Sequence, residues 1–204
     1  MGGRKLEKIK QNPFVKKVGF NRIVLCCVLL LMYGLFCALT GGSFAGMNRI
    51  MSALNYAYFL GFLSLGVTFV IATGQIDFSI GPVMFCCALI SGYTLTTHGI
   101  SMPVAILISI LVGFAFGLFN GYLVAYWSVP SFITSMASMN IAKGLASVYT
   151  KTQSVSWPQA ADPDNGWFRN LVTYNGFPVG LVILLVVAVV CAIILNKTRI
   201  GRYI

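Results

Sequence analysis

Five stretches of this chain carry no charged residue over lengths that match a bilayer: Ile23–Thr40, Ala53–Thr73, Phe78–Thr97, Val104–Trp127 and Phe177–Leu195. A helix needs roughly 20 apolar residues to cross about 30 Å of hydrocarbon. A sixth stretch, Phe132–Tyr149, carries only Lys143. Buried helices of globular proteins give shorter runs with a polar face. Only 9% of the 204 residues are charged, against about 25% in a typical soluble domain, so water alone cannot solvate the surface of such a fold. The predicted fold is an all-α, polytopic transmembrane helical bundle. It has about six spans, near residues 23–40, 53–73, 78–97, 104–127, 132–149 and 177–195.

The net charge of +10 is placed as a membrane protein would place it. Arg4, Lys5, Lys8, Lys10, Lys16, Lys17 and Arg22 precede the first run, and Lys197, Arg199 and Arg202 follow the last. Only Arg49, Lys151 and Arg169 fall in loops that an even number of spans puts on the other side. Basic residues collect on the cytoplasmic side, so both termini are expected there. The lead, residues 1–22, is expected to rest on anionic lipid. This arrangement argues against a nucleic-acid partner. The first run exceeds the 7–15 residues usual in the apolar core of a signal peptide, so it reads as a retained span.

Catalytic constellations are missing. One histidine, His98, and four acids, no two of them together within a span, supply no acid–base pair. No phosphate-cradling G-x-x-x-x-G-K-[ST] loop is present. Cys26, Cys27, Cys37, Cys86, Cys87 and Cys191 all lie in apolar runs and read as small hydrophobes rather than metal ligands or a disulfide framework. No enzyme, metal or cofactor is expected of this chain. Uphill movement of a solute requires another subunit to supply the energy.

The stretch Gly74-Gln-Ile-Asp77-Phe-Ser79-Ile-Gly81-Pro82 interrupts this apolar pattern, and Asp77 is the only acid between Glu7 and Asp162. Asp77 and Ser79 are helix N-cap types, and Pro82 suits a first helical turn. Two readings of Asp77 stand at this point. It caps a helix at the membrane edge, or it belongs to a broken helix at membrane depth beside protein or a water-filled cavity. Gly113, Gly117 and Gly121 recur every four residues on one helix face and predict a close helix–helix seam. Asn120 beside them is expected to bond across that seam or to face a pathway. In the sixth run Ser131, Ser135 and Ser138 share one face, which should turn toward protein or water. Lys143 either snorkels to the interface or lines the pathway. The outer segment 151–176 contains Trp157 and Trp167, candidate interface anchors, and offers a surface to a soluble partner.

These residues resemble a family. Gly74-x-Ile76-Asp77-x-Ser79-x-Gly81 is similar to the G-x-I-D-[LF]-S-x-G signature of bacterial monosaccharide permeases of the ribose, galactose and xylose type. Asn120-Gly121 followed by Val129-Pro130-Ser131-Phe132-Ile133-Thr134 resembles a second segment of that family. It runs on through Met139 and Ala142–Ala146. Asn196-Lys197-Thr198-Arg199-Ile200-Gly201-Arg202 resembles its cytoplasmic turn that meets the ATPase. Pro82 departs from the small residues usual in the first motif. The chain stops at Ile204, inside the third motif, where the family continues with further spans, so the N-terminal part of such a permease is implied.

The resemblance implies the permease subunit of an ABC-type sugar importer in the bacterial cytoplasmic membrane. Its implied partners are an ATP-binding subunit that uses the ATP, an extracytoplasmic sugar-binding protein, a second permease subunit and membrane lipid. The implied pathway residues are Asp77, Ser79, Asn120, Ser135 and Ser138. Thr198, Arg199, Gly201 and Arg202, in the segment 196–204, are implied to couple to the ATPase. A branched-chain amino-acid permease is the alternative within transport, although asparagine is usual there in place of Asp77. A non-transporting accessory membrane protein is the alternative outside it.

The charge distribution yields a topology test. Reporter fusions at residue 10 and at the C-terminus are expected to give cytoplasmic signals. A periplasmic signal from either would overturn the six-span arrangement.

Overall fold

A computed structural model describes residues 20–173, 177–199 and 201. Most of the basic lead, residues 1–19, lies outside the described residues, as do Arg202 and the 174–176 end of the outer segment. The fold is helical: α1 (Phe20–Leu39), α2 (Met47–Ala72), α3 (Ile80–His98), α4 (Met102–Trp127), α5 (Ser131–Tyr149), the short α6 (Trp167–Asn170) and α7 (Val179–Lys197). Five of these, α1 to α4 and α7, are long and apolar enough to cross a membrane. The sixth long helix, α5, matches α3 and α7 in length. It is more polar because its serine and threonine face is turned into protein, where Thr134, Ser135 and Ser138 are buried.

The chain divides into two compact units at Ser52/Ala53. In the first, α1 ends in the turn that the glycine pair dictates. Gly42 takes φ +84°, a left-handed conformation that costs glycine nothing. The Thr40 hydroxyl accepts the Phe44 N–H and donates to the Phe36 carbonyl. Phe44 then packs against the rings of Tyr33 and Phe36, with centroids 5.7 and 5.5 Å apart.

In the second unit α3, α4 and α5 pack on one another. Cys86, Ile90, Phe116, Ala142 and Ala146 form the core between them. Small residues make this approach possible: Ala142 and Ala146 lie one turn apart and are buried. His98 is the last residue of α3. Beyond α5 the chain folds back over the ends of α3 and α4. Trp157 and Phe168 stack at 5.7 Å on a cluster of Leu95, Met102 and Ala105. The Arg169 Nε–H donates to the Pro158 carbonyl, and Asp162 Oδ1 accepts the N–H groups of Asp164 and Asn165. Residues 151–173 are thus folded onto these helix ends, and Trp157 is one of the segment's internal anchors, while Trp167 remains exposed.

Within this chain the closest approaches fall at other glycines than the four-residue row, whose seam the sequence left open to this chain or a second one. A Cβ at Gly113 would meet Cys87 Sγ at 3.5 Å, an ordinary contact, but at Gly117 and Gly121 it would meet nothing within 4 Å. The physical reason is that α3 starts only at Ile80. Non-helical backbone passes beside the lower part of α4, so no helix reaches those two glycines. Tight positions between separate segments are Gly61, where a Cβ would run into the Leu184 side chain of α7, Gly92, where it would lie 2.8 Å from the Trp157 indole nitrogen, and Gly180, 2.9 Å from the Tyr58 ring.

Gly92→Leu should therefore destabilise the chain in detergent by about 1–3 kcal/mol through overpacking and unseat Trp157, red-shifting tryptophan emission. Gly117→Leu should leave both unchanged. Equal losses from the two variants would contradict this packing.

Candidate functional site

The site is built where α2 stops and α3 begins. Gly74 ends α2 at φ +73°, and the chain runs without helix to Ser79. A helix with this break must satisfy its freed backbone groups by other means. The Ile76 N–H donates to Ser131 Oγ at 3.2 Å. The Ser79 N–H and Ser79 Oγ–H both donate to Asp77 Oδ1 at 2.6 Å. Asp77 therefore closes a turn over the residue two positions on, the local bond that short carboxylates favour. It does not cap α3 itself. Ser79 stands at that N-cap position, and its side chain makes no cap bond.

The break lies at depth. Ser79 bonds to Asn120, which precedes the end of α4 at Trp127 by seven residues, about 11 Å of helix. Asn120 also bonds Ser138, seven residues and about 11 Å into α5. The Ile76–Ser79 segment therefore climbs from the start of α5 to a level well inside the bundle. Asp77 thus belongs to a non-helical segment packed against α4 and α5 within the bundle.

Four polar residues, two from the break and one each from α4 and α5, form a continuous string. Ser138 Oγ–H donates to Asn120 Oδ1, Asn120 Nδ2–H donates to Ser79 Oγ at 3.1 Å, and Ser79 Oγ–H donates to Asp77. Ser79 is 2% exposed and Ser138 is fully buried, so neither has water as an alternative partner. Asp77 and Asn120 are half-buried and front a cavity of about 400 Å³. Thr73, Gln75, Ser131 and Ser135 add polar groups to its wall, and Phe69, Val70 and Val124 add apolar surface. Amides, hydroxyls and one carboxylate can hydrogen-bond a neutral polar solute. No basic side chain is among its described lining residues.

Of the residues singled out from sequence, Asp77, Ser79, Asn120 and Ser138 come together in the string. Ser135 stands beside it on the cavity wall, its hydroxyl donating to the Phe132 carbonyl at 3.1 Å. Gly117 and Gly121 also line this cavity. Ser131, read from sequence as part of the serine face, lines the cavity too, and Thr73 and Gln75 join a site for which sequence offered only proximity to the Asp77 motif. Lys143 is exposed on α5, away from this cavity. At the other end of the chain, Thr198 closes α7 by donating its hydroxyl to the Ile194 carbonyl at 2.6 Å, and Gly201 N–H donates to that hydroxyl at 3.4 Å. Arg199 is exposed. No cluster that would hold a metal ion occurs among the described residues.

Comparison with known proteins adds an independent line. A family model described as "Branched-chain amino acid transport system / permease component" matches residues 49–204. The chain is 32% identical over 174 residues to a fructose import permease protein of Bifidobacterium longum, covering 80% of this chain and 49% of that protein. It is 30% identical over 145 residues to a xylose transport system permease protein of Haemophilus influenzae, covering 70% and 38%. It is 32% identical over 154 residues to a galactofuranose transporter permease protein of Escherichia coli, covering 74% and 43%. The chain thus spans about half the length of the curated relatives it matches, or less. No solved structure matches it.

The string makes a stability prediction. Asp77→Ala leaves two donors of buried Ser79 without an acceptor and should cost about 1–3 kcal/mol. Asp77→Asn keeps a carbonyl oxygen there and should unfold close to the parent. Thermal unfolding of both variants in the same detergent measures this, and equal midpoints would remove Asp77 from the fold's support.

Proposed function

We propose a function from one premise: the chain belongs to the family of permease components typified by branched-chain amino acid transport systems, and is a multi-pass membrane protein. On this reading it forms part of the path of a monosaccharide through an ABC-type importer. An ATP-binding subunit on the cytoplasmic side uses the ATP, and this chain has no catalytic step and no cofactor of its own. An extracytoplasmic binding protein delivers the sugar to the folded segment after α5. A second permease subunit completes the path. Both termini are cytoplasmic.

The observation that carries the sugar reading is the lining of the cavity at the break. A free amino acid is a zwitterion, whose carboxylate is best met by a cationic side chain or by free N–H donors. The described wall offers one carboxylate, amides and hydroxyls and no cation. A sugar hydroxyl donates and accepts at once, so it pairs with both Asp77 and Asn120. The relatives named for fructose, xylose and galactofuranose support the same substrate class. The description of the family model favours branched-chain amino acids as the second reading. Thr198 and Arg199 then belong to the turn that meets the ATPase.

Deletion of the gene in its native cell is expected to abolish uptake of at least one labelled monosaccharide. The parent gene should restore it, and Asn120→Leu should not, at equal abundance in the membrane. Loss of labelled leucine uptake with every sugar unaffected would support the second reading and overturn the first.

A further inference from the structure

A second cavity, of about 410 Å³, lies next to the one already described. Its α4 lining runs from Ser109 to Asn120, while that of the first runs from Gly117 to Ala125. The two therefore follow one another along about 24 Å of a single helix. Asp77, Gly117 and Asn120 line both. Two members of the hydrogen-bonded string, Asp77 and Asn120, thus stand between the cavities, and a third, Ser79, lines the second. At Gly117 nothing stands within 4 Å of where a Cβ would be, so this glycine adds no bulk to the boundary.

The direction of the string follows from its chemistry. A carboxylate only accepts hydrogen bonds, and a serine hydroxyl has a single hydrogen to give. Ser79 gives that hydrogen to Asp77. Its oxygen is left to accept, so Asn120 must turn its nitrogen toward Ser79. The Asn120 oxygen is then left for the Ser138 hydroxyl, which donates to it. The orientation of Asn120 is thus fixed by a carboxylate that it does not touch.

We propose that Asn120 is the partition of a path running along α4, and that Asp77 is a positioning residue that holds the partition closed by fixing which way the Asn120 amide faces. The inference rests on the permease reading for its biological meaning, but not for its test. Two nearly isosteric substitutions have opposite effects. Asp77→Asn retains an oxygen that accepts both Ser79 donors, so the string keeps its order. Asn120→Asp has no donor for Ser79 Oγ and puts carboxylates on both sides of one hydroxyl, so the string breaks in the middle. A residue that mattered only for its size or shape would tolerate both changes alike.

Cys87 is a built-in reporter, since it is 8% exposed and lines the second cavity. The test uses the full chain in lipid nanodiscs, with Cys86 replaced by alanine and the other four cysteines by serine. Alkylation of Cys87 by iodoacetamide is followed by mass spectrometry. The parent and Asp77→Asn should react slowly. Asn120→Asp and Asn120→Ala should react about tenfold faster, the order expected when one hydrogen bond no longer biases an open–closed equilibrium. A second carboxylate keeps a nearby thiol protonated and slows its alkylation, so a faster rate in Asn120→Asp is not an effect of charge. Gel filtration reports folding. If Asn120→Asp does not fold, Asn120→Ala and Ser138→Ala carry the comparison and should both be faster than the parent. Equal rates among folded variants, or Asp77→Asn as fast as Asn120→Asp, would overturn the proposal. Because no transport is measured, this result and the uptake result stand or fall separately.

Discussion

The paired hydrogen bonds from Ser79 to Asp77 are what allow this chain to stop being a helix between Ala72 and Ile80. In water such a break costs little, because solvent takes the freed N–H groups. At membrane depth each unsatisfied group is expensive, and irregular backbone survives only against protein or a wet cavity. One carboxylate oxygen takes two donors of Ser79, and Ser131 takes the N–H of Ile76. The break creates the space beside Gly117 and Gly121, and that space is the cavity. The local turn, the lost helix contact and the polar wall are therefore one structural event.

Much of this was legible in the sequence, and the reason is the rarity of polar residues in the apolar runs. A single acid in more than a hundred residues, one asparagine in the 104–127 run and a serine face in the 132–149 run mark positions that lipid does not tolerate. Helix ends were equally readable where Gly42, Gly74 and Pro130 force the backbone. What could not be read was pairing. Ser79 and Asn120 are 41 residues apart, and no periodicity states that they meet.

The glycine row shows the same limit from the other side. Spacing of four places Gly113, Gly117 and Gly121 on one face, but spacing says nothing of what stands opposite. Only Gly113 has a helix there, and the other two open on the cavity. Gly92 carries no row signal, because its partner is Trp157, a residue of the segment that folds back after α5. The two tryptophans of that segment look alike as interface residues. One is fixed in a cluster with Leu95, Met102 and Ala105, and the other is exposed.

Helix α3 carries a distinct feature at each end. Ser79, just before its first turn, holds Asp77 and Asn120. Leu95 and Gly92, near its last, are clamped under the folded segment through Trp157 and Val155. A helix is stiff along its axis, because shortening or stretching it breaks backbone bonds turn by turn. The nineteen residues of α3, about 28 Å of rod, thus form a strut. The segment that folds back after α5 and the polar string are thus tied to opposite ends of one rigid helix.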